Sequence, residues 1–197
     1  MNNKFIHLLH CPFTGLGLYQ GFRGNRWLKS RIQIFKQFVI PSLQNQTNKN
    51  FVLWISWRRE ERHNTYVREF IEYLETIKDF KTIHTFHGIT FLDDKYPNDI
   101  ARDRLLTSLH ETMGELVNEI GEVDYVYVTM QPSDDLYHKN TIKAIQNFFE
   151  QYPKHQAIGF ERGYICDYLT KEVAEYNPNT NPPFYTIKFT RETFIDP

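Results

Sequence analysis

The sequence predicts an α/β fold, a Rossmann-like, mostly parallel sheet flanked by helices. Two observations lead to this prediction. Short apolar segments alternate with amphipathic helical patterns through about residue 160, as in sheets covered by helices on both faces. Beyond that residue the segments become short and extended, which predicts a strand-rich C-terminal part. Because 197 residues suit one domain and no long linker or repeat interrupts them, we expect a single domain spanning 1–197.

The first half of the chain predicts three strands and two helices. A glycine-rich loop follows the first strand, and Pro41 is expected to end the first helix because proline lacks a backbone N–H. A charged loop, Arg58–Arg62, leads into the second helix. In chain order the predictions are a strand at Lys4–His10, a helix at Arg26–Val39, a strand at Phe51–Trp57, a helix at Asn64–Ile77 and a strand at Lys81–Phe86.

The second half begins with a long helical pattern and the clearest strand of the chain. Pro153 is expected to end the last helix. The predictions are a helix at Asp99–Ile120, a strand at Val123–Met130, a helix at His138–Tyr152, a strand at Gln156–Phe160, extended chain at Gly163–Tyr176, a turn at Asn177–Pro183 and a strand at Tyr185–Phe189.

Composition excludes several classes of protein. Lys and Arg number 23 against 24 Asp and Glu, so bulk charge does not favour nucleic acid as a partner. No segment predicts a membrane span or a signal peptide. Cys11 and Cys166 are too few for a disulfide framework or a cysteine zinc site, so we expect two small buried residues and a reduced, cytoplasmic compartment. The 16% of aromatic residues predicts a crowded core with some rings at the surface or in a cleft.

The most informative segment is the acidic loop, Gln131–His138, which follows the clearest strand. Ligands of such sheets bind beyond the carboxyl ends of strands. The adjacent carboxylates of Asp134 and Asp135 repel each other unless water or a cation neutralises them. Their hard oxygens suit Mg²⁺ or Mn²⁺. The alternative is that Ser133 or Asp135 merely caps the following helix.

Several motifs spread along the chain match one family. They are Arg31 with Phe35, Pro41-Ser42-Leu43, Gln46-Thr47, Phe51–Trp57, Ala101-Arg102 on the long helix, Ser133–His138, Gly163-Tyr164 and Pro182-Pro183-Phe184. With these the chain resembles the nucleotide-binding half of GT-A glycosyltransferases, and more narrowly the rhamnosyltransferase family of bacteria and viruses. The resemblance implies a GT-A-like fold, a nucleotide-sugar donor, a glycan acceptor and a divalent metal cofactor.

The resemblance also implies roles for the acidic loop. Its acidic residues correspond to an Asp-x-Asp type motif that holds the metal against the donor diphosphate and contacts the ribose. Asp134 and Asp135 would bind the metal, with His138 as a third candidate, and Ser133 and Asp134 would contact the donor. Pro132 stands where the family has its first Asp. The family pattern continues past Pro197, which implies that the chain is C-terminally incomplete relative to the family.

Several arginines are candidates for the donor diphosphate, since guanidinium groups form bidentate phosphate contacts. Arg23, Arg26 and Arg31 could reach it from the region after the first strand, and Arg31 is the best of these three because it falls on the family pattern. Arg58 follows the second strand, and Arg102 lies near the start of the long helix, where GT-A enzymes can place an arginine near the nucleotide. The alternatives are exposed helix-start cations, a solvated charged loop and pairing of Arg102 with a neighbouring aspartate.

Inverting sugar transfer requires a carboxylate base on the acceptor side. Glu161 follows the strand ending at Phe160, and Asp167 comes soon after, so either is a candidate, with an ordinary surface carboxylate as the alternative for each. The other histidines do not predict a metal cluster. The spacings of His7 with His10 and of His84 with His87 direct the paired side chains to opposite faces of a strand.

The sequence thus predicts a metal-dependent glycosyltransferase acting on a nucleotide-sugar. Two alternatives remain open. A non-catalytic glycan- or partner-binding module of the same fold is favoured by Pro132. A nucleotidyltransferase would use the same metal-phosphate chemistry, but such enzymes usually have a glycine-rich loop with a basic residue near the first strand, and the loop here matches that pattern only loosely.

Overall fold

The computed structural model describes residues 4–14, 24–88, 98–177 and 185–196. The glycine-rich loop with Arg23, nearly all of the predicted turn at Asn177–Pro183, and the motif Pro182-Pro183-Phe184 lie outside the described residues.

Eight strands form two sheets in the described part of the chain. They are β1 (Phe5–Cys11), β2 (Val52–Arg58), β3 (Lys81–Gly88), β4 (Tyr125–Met130), β5 (Ala157–Gly159), β6 (Gly163–Cys166), β7 (Val173–Tyr176) and β8 (Tyr185–Thr190). The main sheet has the order β3-β2-β1-β4-β8-β5, and β6 and β7 form a separate antiparallel hairpin. The pairs β3-β2, β2-β1 and β1-β4 are parallel, whereas β8 runs antiparallel to both neighbours. The predicted mostly parallel, Rossmann-like sheet and the strand-rich C-terminal part are confirmed.

Helices cover both faces of the main sheet. They are α1 (Asn25–Ile34), a π-helical turn (Phe35–Val39), α2 (Ile40–Gln44), a 3-10 helix (Arg59–His63), α3 (Thr65–Glu75), α4 (Asn98–Ile120), α5 (Thr141–Gln151) and α6 (Arg191–Ile195). The helices from α1 to α3, together with α5, cover the first face of the sheet. The second face is covered by α4 and α6.

The first helix does not end at Pro41 as predicted. Helical backbone continues through Pro41 to Gln44, with a π-helical turn directly before it. Pro41 lies in the first turn of α2, and the wider π turn changes the backbone bonding pattern there, so the missing N–H is tolerated. Likewise, Arg58–Arg62 is not a plain loop, since Arg59–His63 forms a 3-10 helix.

The aromatic residues divide between the core and the surface, as the composition predicted. Phe13 lies at the centre of a buried cluster, with ring centroids 5.5 Å from Phe35, 4.9 Å from Trp57 and 5.7 Å from Phe70. This cluster joins the segment after β1 to the helices of the first face. Burying such rings contributes about 2 kcal/mol or more each through apolar area alone.

The two cysteines differ in environment. Cys11 is buried at the end of β1, as predicted, but Cys166 is exposed on β6. The prediction of a buried Cys166 is wrong because β6 and β7 form a hairpin separate from the main sheet, and nearly all residues of its two strands are exposed.

Candidate functional site at the β1–β4 switch point

The acidic loop lies where the direction of strand addition reverses. From β1 the chain adds β2 and β3 on one side and then returns to place β4 on the other. Such a reversal separates the loops that follow the two strands and leaves a crevice at their carboxyl ends. The backbone N–H of Gln131 donates to the carbonyl of His10 at 2.8 Å and so holds the start of the acidic loop against β1.

Arg31 and Asp134 form an ion pair at this crevice. The Arg31 side chain is 20% exposed and reaches the loop from α1, and the Asp134 side chain is 50% exposed. Neighbouring Asp135 is more buried than Asp134. Burial, together with the charge of Asp134, raises the pKa of Asp135 to about 6, while Arg31 opposes that rise. The site therefore combines one guanidinium with two carboxylates in unequal environments.

Side chains from α2 and the residues just after it hold the acidic loop in place. Ser42 Oγ accepts from the backbone N–H of Tyr137 at 2.9 Å and donates to its carbonyl at 3.1 Å. Gln46 Nε2 donates to the carbonyl of His138 at 3.0 Å, and Gln46 Oε1 accepts from the N–H of Ile142 at 3.2 Å. We call Ser42, Gln46 and Thr47 the loop clasp.

Thr47 completes the clasp through both its backbone and its side chain. Its N–H donates to the carbonyl of Lys139 at 2.8 Å, and its Oγ1 donates to Asn140 Oδ1 at 3.0 Å. Sequence reasoning gave these residues no role. The signal was nonetheless present, because Pro-Ser-Leu and Gln-Thr were among the motifs that carried the family resemblance.

The acidic loop is also braced from within. Tyr137 Oη donates to the carbonyl of Met130 at 2.7 Å, and Gln131 Nε2 donates to the carbonyl of Asp135 at 2.9 Å. Both side chains are buried. Helix α5 begins at Thr141, later than predicted, and its N-cap residue Asn140 makes no side-chain capping bond. The alternative that Ser133 or Asp135 caps this helix is therefore wrong.

Arg58 lies at the carboxyl end of β2, close to the segment that follows β1. Its Nε donates to the carbonyl of Thr14 at 3.2 Å, and its backbone N–H donates to Glu61 Oε2 at 3.1 Å. Thr14 Oγ1 donates to the same carboxylate, whose pKa is raised by burial. Arg58 and Glu61 thus hold Thr14, the last described residue after β1.

Arg102 is exposed in the first part of α4. Ser108 Oγ donates to the carbonyl of His87 near the end of β3, and α4 begins ten residues earlier, so its start projects roughly 15 Å beyond that point. Arg102 therefore lies past the same edge of the sheet as the acidic loop, but on α4. No ion pair joins it to another described residue.

Within the acidic loop, Ser133 is half-buried and His138 is exposed. His138 Nδ1 accepts from the backbone N–H of Asn140 at 3.3 Å. Among the described residues no three His, Cys, Asp or Glu side chains converge on a possible metal site. His138 is therefore not grouped with Asp134 and Asp135 in this arrangement, and its role as a third metal ligand stays a prediction.

The two candidate bases occupy different surroundings. Glu161 is exposed just after β5, which runs parallel to β4 two strands away, so it lies at the site's edge of the sheet, roughly 10 Å from β4 across the sheet. Asp167 forms the turn of the β6–β7 hairpin, where its Oδ1 accepts from the N–H groups of Leu169 and Thr170. These bonds lower the pKa of Asp167, so its carboxylate takes up a proton less readily.

Comparison with known families confirms the resemblance over part of the chain. The family described as "Putative rhamnosyl transferase" matches residues 22–112, just under half of the sequence. Arg31, Arg58, Arg102 and the loop clasp lie inside this segment, and the acidic loop lies outside it. No curated protein matches the chain. In the part of the chain that the structure describes, no helix is both long and apolar enough to span a bilayer.

Proposed function

We propose that this protein is a glycosyltransferase that binds a nucleotide-sugar at the β1–β4 crevice and transfers the sugar to a glycan acceptor. The observation that carries the proposal is the Arg31–Asp134 ion pair at the switch point of the sheet. It joins a residue of the segment matched by the rhamnosyl transferase family to the acidic loop outside that segment.

In this proposal Arg31 contacts the donor diphosphate, and its guanidinium exchanges part of its pairing with Asp134 for phosphate oxygens. Ser133 belongs to the acidic loop, Arg58 ends the neighbouring strand β2 and Arg102 lies on α4, and in this proposal each contacts the donor from there. Glu161 is the preferred base for the acceptor hydroxyl, because its carboxylate is exposed at the site's edge of the sheet and Asp167 is held in a turn.

The carboxylates of Asp134 and Asp135 fit a hard divalent cation such as Mg²⁺ or Mn²⁺, but only as a two-residue set. The remaining ligands would come from donor phosphates and water. Such an ion would neutralise the charge that develops on the departing diphosphate. The family's first motif aspartate is replaced by Pro132, so this chain has one carboxylate fewer with which to hold it.

A non-catalytic glycan- or partner-binding module of the same fold is the second candidate, and Pro132 favours it. The two are distinguished by thermal shift with UDP, GDP and dTDP, each with Mn²⁺ and with EDTA, using wild type and the Asp134→Ala/Asp135→Ala variant. A bound nucleotide raises the free energy of unfolding by about 2.7 kcal/mol at a hundredfold excess over Kd. A shift lost in the variant supports the donor site, and donor hydrolysis then supports the enzyme over the binding module. No shift with any nucleotide contradicts the proposal.

A further inference from the structure

A cavity of about 360 Å³ opens at the end of β4 opposite the acidic loop. Tyr125, the first residue of β4, lines it, whereas the acidic loop follows Met130 at the other end of the strand. At ~3.3 Å per residue the two places are roughly 17 Å apart. The volume lies at the lower end of the range of small-molecule sites, roughly 300–1,000 Å³. The cavity is therefore separate from the crevice proposed for the donor.

Lys188 is a buried cation in the wall of this cavity, with only 9% of the residue exposed. Its Nζ donates to the carbonyl of Pro153 and lies 5.2 Å from the ring centre of Tyr125 and 5.3 Å from that of Phe149. Among the described residues it forms no ion pair with a carboxylate. An ammonium group has three N–H donors, so donors remain for an anion.

The rest of the lining suits a ring with hydroxyl groups. The exposed Lys154 adds a second cation, and Tyr125 and Phe189 supply aromatic surface. The hydroxyls of Thr190 and Thr193 lie 2.6 Å apart. Only one of them can donate to the other, so the second keeps a free donor. A lining that combines two cations with aromatic residues favours a ligand that carries a negative charge and an apolar ring face.

We propose that this cavity binds a single sugar unit that carries a carboxylate or a phosphate, with Lys188 and Lys154 contacting the anion. Two kinds of ligand combine a sugar ring with a negative charge, namely an acidic sugar of a glycan and a free sugar phosphate. The proposal does not depend on nucleotide-sugar binding at the acidic loop.

Isothermal titration of the full chain with glucuronate, glucose 6-phosphate, inorganic phosphate and glucose tests it. We expect saturable binding of at least one anionic sugar, weaker binding of phosphate and none of glucose. Glucuronate alone indicates a carboxylate ligand, and glucose 6-phosphate alone indicates a phosphate ligand. Lys188→Met should weaken binding about tenfold or more, because a charge-assisted contact is lost. Lys29→Met, which removes an exposed cation from α1, should not.

Lys188 also holds the carbonyl of Pro153, so Lys188→Arg and Lys154→Met are included. The arginine variant keeps the charge and should retain binding, and Lys154→Met should weaken it without unfolding the chain. Failure of every anionic ligand to bind, binding of glucose as tight as that of the anionic sugars, or unchanged affinity in both Lys188→Met and Lys154→Met would overturn the proposal. The Asp134→Ala/Asp135→Ala variant should bind these sugars normally, so failure here is distinguishable from failure of the donor site.

Discussion

Ser42 and Tyr137, 95 residues apart in the sequence, exchange two hydrogen bonds through a single hydroxyl group. Ser42 Oγ accepts from the backbone N–H of Tyr137 and donates to its carbonyl. Both peptide groups of the acidic loop that flank Tyr137 are therefore oriented from α2. The positions of Asp134 and Asp135 depend on a serine that carries no charge and takes no part in the proposed reaction.

Ser42→Ala is expected to lower the free energy of unfolding by about 1–3 kcal/mol, because it leaves a partly buried N–H and carbonyl without partners. If the acidic loop binds nucleotide, the variant should also bind more weakly at a temperature where it remains folded. Urea unfolding and nucleotide titration measure the two effects. Ser30→Ala, on the exposed side of α1, is the matched control and should change neither. Equal behaviour of the two variants would contradict a role for the clasp.

Arg31→Gln is expected to affect binding much more than stability. The ion pair with Asp134 is partly exposed, so its contribution to stability is at most about 1 kcal/mol. Loss of a guanidinium that contacts diphosphate should weaken nucleotide affinity about tenfold or more. Lys29→Gln, which removes an exposed cation from the same helix, serves as the control. A drop of several kcal/mol in stability without a change in affinity would show that Arg31 is structural.

Two glycines of the α4 region should respond to alanine with opposite signs. Gly114 lies inside α4 and a Cβ there meets open space, so Gly114→Ala should stabilise the protein by about 0.5–1 kcal/mol. Gly121 follows α4 with φ of 68°, and a Cβ there is equally free of contacts. Gly121→Ala should nevertheless cost about 1–2 kcal/mol, since only the backbone conformation is disfavoured. Chemical denaturation of both variants measures the change in the free energy of unfolding. A change of the same sign in both would contradict the distinct backbone conformations of Gly114 and Gly121.

Acid should destabilise the fold through its buried histidines. Burial lowers the pKa of His7 and of His10 to about 3, against about 6.5 in the unfolded chain. Between these values the unfolded chain binds more protons, so stability falls as the pH falls from 6.5 toward 3. Each histidine contributes a slope of up to about 1.4 kcal/mol per pH unit. The raised pKa values of Asp135 and Glu61 act in the opposite direction.

The His10→Asn variant isolates one of these contributions. His10 stacks on Trp54 at 3.7 Å and its Nε2 lies 3.0 Å from Ser56 Oγ, so the substitution should also lower stability at neutral pH. Urea unfolding between pH 7.5 and 4.5 should show a flatter decline for the variant than for wild type. His63→Asn, which changes an exposed histidine, should leave the slope unaltered. Parallel slopes for wild type and His10→Asn would contradict a neutral buried His10.

The alternation of strands and helices could be predicted from the sequence because each element has its own pattern of apolar residues. The long helix α4 and the strand β4 were predicted to within one or two residues of their observed bounds. The prediction that the first helix ends at Pro41 was wrong because it used only the local effect of proline on a helix. The π-helical turn before Pro41 packs Phe35 and Val39 into the core, and that packing involves residues far away in the sequence. The exposure of Cys166 was missed because composition favours burial of cysteine and cannot show that, among the described strands, β6 pairs with β7 alone.

The candidate site was predictable in its residues but not in its contacts. The acidic pair and Arg31 could be selected from residue type, position after a strand and family pattern. The ion pair between Arg31 and Asp134, and the clasp of Ser42 on Tyr137, join segments that are distant in sequence. Such contacts depend on how α1 and α2 pack on the sheet, and no local pattern encodes that. The prediction that Ser133 or Asp135 caps α5 failed for the same reason. The acidic loop is held by α2 and the residues just after it, and not by the start of α5.

The placement of β8 between β4 and β5 has a consequence for how the protein folds while it is being synthesised. During synthesis, β5 leaves the ribosome before β8, its partner among the described strands, has been made, and the hairpin emerges next. Until residues 185–190 appear, the outer edge of β4 offers unpaired N–H and carbonyl groups on an apolar strand. A nascent chain paused in this interval would be open to pairing with other chains, and chaperones that shield strand edges would be needed most at this stage.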